Sequence, residues 1–144
     1  MNSDTLDIQY ILNAVDNDNN ESIMKYTMEQ ISAMKNDVLQ QLQLPREELK
    51  VIHKKLKAYR YVNDLTDLRY GNYIRWVTLK DPNNIRLTNG GLICDTKFMQ
   101  TGVHILCKNK MNRMFQIKFD ENLIFQKLSD QEQIILDVIK YLKD

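Results

Sequence analysis

The sequence contains little that breaks or cross-links a chain. Of its 144 residues, only 4 are Gly, 2 are Pro and 2 are Cys. Two cysteines cannot build the disulfide framework of a small secreted domain, and the low Gly and Pro content limits the number of tight loops. No run of 18 apolar residues occurs, and the first residues lack the basic and apolar regions of a signal peptide. We therefore expect an intracellular protein with no membrane partner.

Charge is almost balanced over the whole chain but not along it. Lys and Arg number 20 against 19 Asp and Glu, and 43% of the residues are hydrophobic, as in an ordinary globular domain. Residues 1–70 carry a net charge of −2, whereas residues 71–144 carry +3. The apolar pattern also changes there, from helical spacing to alternation. We expect a helical region over 1–70 and an antiparallel β region with a final helix over 71–144, joined in one compact unit.

Helical spacing predicts three helices in the first region. A short one, capped by Ser3 or Asp4, has an apolar face of Leu6, Ile8, Ile11, Leu12 and Val15. A longer one begins near Ser22, with a stripe of Met24, Met28, Ile31, Met34, Val38 and Leu42. Pro45 ends it and begins a third, whose stripe is Leu49, Ile52, Leu56 and Tyr59. The short connection predicts that the second and third helices form an antiparallel hairpin.

Alternating apolar residues and turn residues predict five strands in the second region. Their expected ranges are 73–79, 92–98, 103–109, 113–119 and 123–128. Short connections favour a meander, and five short strands suit a small SH3-like or Tudor-like barrel. Ser129 and Glu132 are spaced as a capping box for a closing helix. The predicted fold is α+β, with an N-terminal helical hairpin, a small five-stranded antiparallel barrel and a C-terminal helix.

Residues with catalytic or metal-binding chemistry do not form a recognisable site. Cys94 and Cys107 sit in apolar strands and read as small core residues, directly opposite each other if the turn centres on residues 100 and 101. The two cysteines and two histidines lack zinc spacing, and no nucleophile elbow or phosphate loop occurs. We expect no enzyme activity, no cofactor, no metal and no small-molecule substrate.

Three segments carry a resemblance to a known group of proteins. They are Tyr70-Gly71-Asn72-Tyr73-Ile74-Arg75-Trp76-Val77, Leu87-Thr88-Asn89-Gly90-Gly91 and Phe115-Gln116-Ile117-Lys118-Phe119-Asp120-Glu121. In these strand and turn patterns the C-terminal half resembles a small family of uncharacterised proteins of large double-stranded DNA viruses, including marseillevirus-like giant viruses. The resemblance implies a viral setting, in the virion or the virus factory of the host cytoplasm. It implies no reaction and no binding residues.

Basic residues concentrate on the predicted strands. Residues 75–118 hold eight Lys and Arg against two Asp, and such clusters attract phosphates. Loops 80–86, 89–91 and 108–113 are expected to form the recognition edge. The candidate residues for binding a protein partner or nucleic acid are Lys54, Arg75, Lys80, Arg86, Lys108, Lys110 and Arg113.

The apolar stripes of the predicted hairpin suggest assembly. Two helices cover only part of each other's stripe, so the remainder must meet the sheet, the terminal helices or another chain. A second copy could bury it as a four-helix arrangement. The candidate dimerisation residues are Met24, Met28, Ile31, Val38, Leu49, Ile52 and Leu56. The sequence thus favours a non-enzymatic viral interaction or structural module, a homodimer that presents a basic surface to a partner. The alternative is a nucleic-acid-binding accessory factor that uses the basic strands and the second helix of the hairpin.

Overall fold

The α+β class is confirmed by the structure, a computed structural model that describes residues 8–143. The α-helices are α1 (Ile8–Asp16), α2 (Met28–Gln40), α3 (Arg46–Lys55) and α4 (Asp130–Lys143). The strands are β1 (Tyr59–Tyr61), β2 (Tyr73–Thr78), β3 (Gly91–Met99), β4 (Gly102–Lys108), β5 (Met114–Lys118) and β6 (Asn122–Lys127). Each of the five predicted strands is present, within two residues of its expected bounds.

The strands form one antiparallel sheet in the order β1-β6-β2-β3-β4-β5. The predicted five-stranded barrel is wrong, because the sheet has six strands and its two edge strands, β1 and β5, do not pair with each other. The additional strand, β1, takes in Tyr59, which the helical stripe had assigned to the third helix. That helix ends at Lys55, and residues 59–61 pair with β6 instead. A strand from the predicted helical region is therefore part of the sheet.

The sheet curves around a core on one of its faces. Strands β2 to β5 follow one another as a meander, and a 3₁₀ turn over Phe119–Glu121 leads into β6, which returns to pair with β2. Side chains from β2, β3, β4 and β6 meet here, together with the residue that follows β1. The buried members of this cluster are Val62, Ile74, Trp76, Ile93, Ile105, Cys107 and Ile124.

Helices α2 and α3 cover the opposite face of β6 and β2. The buried members of this second cluster are Leu39, Ile52, Leu56, Val77 and Phe125. Helix α2 starts at Met28, after a capping box between Thr27 and Gln30, rather than near Ser22. Its buried line is Ile31, Lys35 and Leu39, so the predicted methionine stripe is rotated from the true inner face.

Lys35 is a charged side chain inside the fold. Its Nζ donates to the carbonyl oxygens of Leu56, at 2.8 Å, and Tyr59, at 3.1 Å. The ammonium group thereby satisfies carbonyls at the end of α3 and the start of β1. Burial lowers the pKa of Lys35 from its usual value. This contact joins α2 to the segment in which the chain changes from helix to strand.

The proposed dimerisation residues lie largely inside the chain. Ile31, Ile52 and Leu56 are buried, and three further members are half-buried against the chain's own core, namely Met28, Val38 and Leu49. Met24 is exposed. These stripes meet the sheet and the terminal helices α1 and α4, one of the outcomes that the sequence left open. A homodimer remains a prediction, and it would need a surface other than this one.

Helices α1 and α4 pack together beside the hairpin. Their shared cluster includes Ala14, Ile135 and Leu136, and the predicted capping box of Ser129 and Glu132 is confirmed by hydrogen bonds of 2.9 and 3.1 Å. The predicted cap residues Ser3 and Asp4, and Leu6, lie outside the described residues. Within residues 8–143, no helix combines the length and the apolar character that a bilayer crossing requires.

A β-bulge separates the two cysteines. The β3–β4 turn does centre on residues 100 and 101, but the register shifts between Ile93 and Asp95. Ile93 pairs with Cys107, and Asp95 pairs with Leu106, so Cys94 has no directly opposite residue in β4. Both cysteines are free, Cys94 exposed and Cys107 buried. Burial, reinforced by the nearby Cys94 thiol, raises the pKa of Cys107 to about 12.

Candidate anion-binding cleft

A concave surface lies where β1 and β2 begin and β6 ends, next to the loop before β3 and the loop after β4. We call it the basic cleft, and its volume is about 540 Å³. This size falls within the range of pockets that hold small organic groups. Its lining residues are Tyr59, Tyr73, Arg75, Asn89, Gly90, Asn109, Lys110, Met111 and Lys127.

The floor of the cleft follows from strand register. Tyr59 of β1 is directly opposite Lys127 of β6, while Tyr73 and Arg75 are alternate residues of β2. Side chains two residues apart on a strand share a face, and Arg75 is paired with Phe125, two residues before Lys127. All four side chains therefore project from the face of the sheet that α2 and α3 cover farther along.

One wall of the cleft is bonded to β2. Tyr73 Oη donates to the Asn89 carbonyl oxygen at 2.6 Å, and Arg75 Nε donates to the Thr88 carbonyl oxygen at 2.8 Å. Gly90 has a φ of +86°, and a Cβ there would lie 2.0 Å from the Ile74 carbonyl oxygen. Only glycine fits this close approach, so the backbone of residues 88–90 lies directly against the strand.

The facing wall is a turn held by one side chain. Asn109 Oδ1 accepts hydrogen bonds from the backbone N–H groups of Met111 and Arg113, both at 2.9 Å. Asn112 takes a positive φ of 62°, which Asn tolerates better than most residues. The turn that carries Lys110 is therefore fixed by local hydrogen bonds.

The cleft concentrates positive charge. Arg75, Lys110 and Lys127 line it, and no Asp or Glu is among its described lining residues. Among residues 8–143, none of these three cations forms an ion pair with a carboxylate within 4.0 Å. Unpaired cations that converge on one concavity attract an anion.

Tyr59 lies at the boundary between the cleft and the core. Its side chain packs against the cluster beneath α2 and α3, and burial raises the pKa of its hydroxyl. The positive charge of Arg75 opposes that shift, whereas the neighbouring Tyr73 adds to it. The Tyr59 hydroxyl is therefore neutral at physiological pH and presents a ring and a hydrogen-bonding group rather than a base.

A second hollow adjoins the cleft across the Asn89–Gly90 turn. It has a volume of about 420 Å³ and shares Asn89, Gly90 and Asn109 with the cleft. Its other lining residues are Trp76, Arg86, Leu87, Thr88 and Phe115. Phe115 is 43% exposed, and Arg86 is a fourth cation with no carboxylate within 4.0 Å in the described part of the chain. No Asp or Glu is among the described residues that line either hollow.

The structure brings some of the predicted binding residues together and separates others. Arg75 and Lys110 line the cleft, and Arg86 lines the neighbouring hollow. Lys54, Lys80, Lys108 and Arg113 line neither, and Lys80 lies 4.0 Å from Glu121.

Sequence reasoning did not select Lys127 or Tyr59 for the site. Lys127 could have been found from alternation, because it is two residues from Phe125 on a predicted strand. Tyr59 could not have been placed there while it was assigned to the third helix.

A third hollow, of about 480 Å³, is lined by polar groups that form hydrogen bonds with one another. Asn17 and Asn20 both donate to Gln131 Oε1 at 2.9 Å, and Glu132 accepts from the Ser129 backbone N–H. Within residues 8–143, no group of three or more His, Cys, Asp or Glu side chains could hold a metal ion.

Comparisons with family models, with curated proteins and with solved structures found no match to this chain.

Proposed function

We propose that the protein is a non-enzymatic interaction module whose basic cleft binds an anionic partner. The observation that carries the proposal is that Arg75, Lys110 and Lys127 line one concavity and that no carboxylate is among its described lining residues. A cation on an ordinary solvated face is usually interspersed with acidic residues, as Lys80 and Lys118 are here with Glu121. The cleft lacks that compensation, so an anion gains the full attraction of three charges.

Rigid placement supports a binding role. Both walls are held by hydrogen bonds within the protein, through Arg75 Nε on one side and Asn109 Oδ1 on the other. Binding then requires little ordering of backbone, which reduces its entropic cost.

Nucleic acid is a second candidate, and the aromatic rings favour it. Tyr59 and Tyr73 stand beside the cations of the cleft, and Phe115 stands beside Arg86 in the next hollow. A carboxylate-rich protein partner needs the cations alone, whereas a nucleic acid can also use the rings. A viral setting, in the virion or the virus factory, remains a prediction from the resemblance.

A charge-matched comparison tests the proposed function. Lys110→Gln/Lys127→Gln removes two cations of the cleft. The control, Lys54→Gln/Lys57→Gln, removes two exposed cations, one in α3 and one just after it. Binding of fluorescein-labelled heparin and of labelled DNA is measured by fluorescence anisotropy at low salt. We expect the cleft variant to lose affinity for these polyanions and the α3 variant to keep it. Equal losses in the two variants, or no binding by the unaltered protein, would overturn the proposal.

A further inference from the structure

The basic cleft differs from a flat cationic patch because half-buried rings line it beside its cations. Tyr59 and Tyr73 are both half-buried, and both line the concavity beside Arg75 and Lys127. The Tyr73 hydroxyl is engaged by Asn89, which fixes the ring against the wall. A ligand that reaches these rings must therefore enter the concavity with a flat apolar group while its negative charge stays near the cations.

Single-stranded nucleic acid has that chemistry. Its phosphates are repeated anions, and its unpaired bases have exposed faces that stack on aromatic side chains. In a duplex, the bases are paired and stacked inside, so a recessed tyrosine ring can be reached only after a base leaves the helix, which costs free energy. The recessed position of Tyr59 and Tyr73 thus discriminates between the two forms.

The second hollow extends the path beyond one nucleotide. It joins the cleft through Asn89, Gly90 and Asn109, and it repeats the same pairing of a cation, Arg86, with an exposed ring, Phe115. A flexible strand can therefore pass from one hollow to the other beside these three shared residues.

We propose that the basic cleft and the neighbouring hollow bind single-stranded nucleic acid in preference to duplex. Phosphates contact Arg75, Lys110, Lys127 and Arg86, and bases stack on the exposed surfaces of the rings. This inference rests on the proposed function, because it assigns the anionic partner of the same cleft.

The experiment compares three labelled probes with the same protein by fluorescence anisotropy. They are a 12-nucleotide oligothymidine, a 12-base-pair duplex and heparin. We expect the single strand to bind at least tenfold more tightly than the duplex. Tyr73→Leu should weaken single-strand binding by about 5- to 150-fold, the range for loss of one stacked base. Tyr73→Phe, which keeps the ring, should bind the single strand far more tightly than Tyr73→Leu.

The controls separate failure of this inference from failure of the proposed function. Tyr141→Leu removes a ring that is 79% exposed on α4 and does not line the cleft, and it should bind as the unaltered protein does. Thermal unfolding establishes that each variant is folded. Lys110→Gln/Lys127→Gln tests the contribution of the cations to binding while the tyrosine rings stay unchanged. Equal affinity for single strand and duplex, or Tyr73→Leu binding the single strand normally, overturns the inference while heparin binding sustains the proposed function. Loss of neither heparin nor single-strand binding in the lysine variant overturns both.

Discussion

The salt dependence of binding can be worked out from the cations of the two hollows. Within residues 8–143, Arg75, Arg86, Lys110 and Lys127 have no carboxylate within 4.0 Å, so each is able to neutralise one phosphate. Each contact to a single strand changes the slope of log affinity against log salt by about −0.7, which gives about −2.8 for four contacts. Raising the salt from about 50 to about 200 mM should therefore weaken binding about 50-fold.

The same relation fixes what substitution should do. Lys110→Gln/Lys127→Gln leaves two contacts, so the slope should become shallower, at about −1.4. The loss of affinity over the same salt range should then be only about 7-fold. Fluorescence anisotropy titrations of a labelled oligothymidine at four salt concentrations measure both slopes, and Lys54→Gln/Lys57→Gln should keep the original one. The reasoning is refuted if the cleft variant and the unaltered protein have equal slopes, because the two lysines would then contact no phosphate.

Three further predictions concern stability and reactivity. Because burial raises the pKa of Cys107 to about 12, the thiol ionises first in the unfolded chain, so stability should fall as the pH rises from 9 to 12. The free energy of unfolding in urea, measured for the unaltered protein and for Cys107→Val, should differ by an amount that changes with pH between 9 and 12. In the folded state at pH 8, iodoacetamide should modify the exposed Cys94 alone. The buried guanidinium of Arg60 in β1 lies 3.4 Å from a carboxylate oxygen of Asp67 and 4.0 Å from one of Glu132, and both of these residues are buried. Arg60→Met should therefore lower the free energy of unfolding in urea by about 3–5 kcal/mol, because it leaves the two carboxylates without their cation, and a loss below about 1 kcal/mol would contradict this. Gly90→Ala should destabilise far more than Gly71→Ala, since both have a positive φ but only Gly90 meets backbone atoms, and similar thermal midpoints for the two variants would rule out that steric argument.

Local patterns predicted most of the sheet and part of the cleft. Alternation located five strands, and the turn residues Asn89 and Gly90 were correctly placed between two of them. Arg75, Lys110 and Arg86 were selected because basic residues cluster in that part of the sequence. These features depend on neighbouring residues, which is why sequence reasoning could reach them.

The features that sequence reasoning missed depend on distant parts of the chain. Tyr59 continues the helical spacing of α3, yet it becomes a strand because β6, more than 60 residues later, supplies its partner. The alternation of apolar residues in β3 predicts Cys94 on the core face, but the bulge places Ile93 there and leaves Cys94 exposed. Lys35 appears polar in every local window, and only the carbonyl groups of Leu56 and Tyr59 explain its burial.

The position of β6 has a consequence for synthesis on the ribosome. This strand lies between β1 and β2 in the sheet, although it follows the other five strands of residues 8–143 in the sequence. Until residues 122–127 have left the exit tunnel, Tyr59–Tyr61 have no strand partner and one side of β2 is unpaired. The nascent chain therefore exposes unpaired strand edges until residues 122–127 emerge, and the cleft, which needs Tyr59 and Lys127 side by side, cannot be assembled before then.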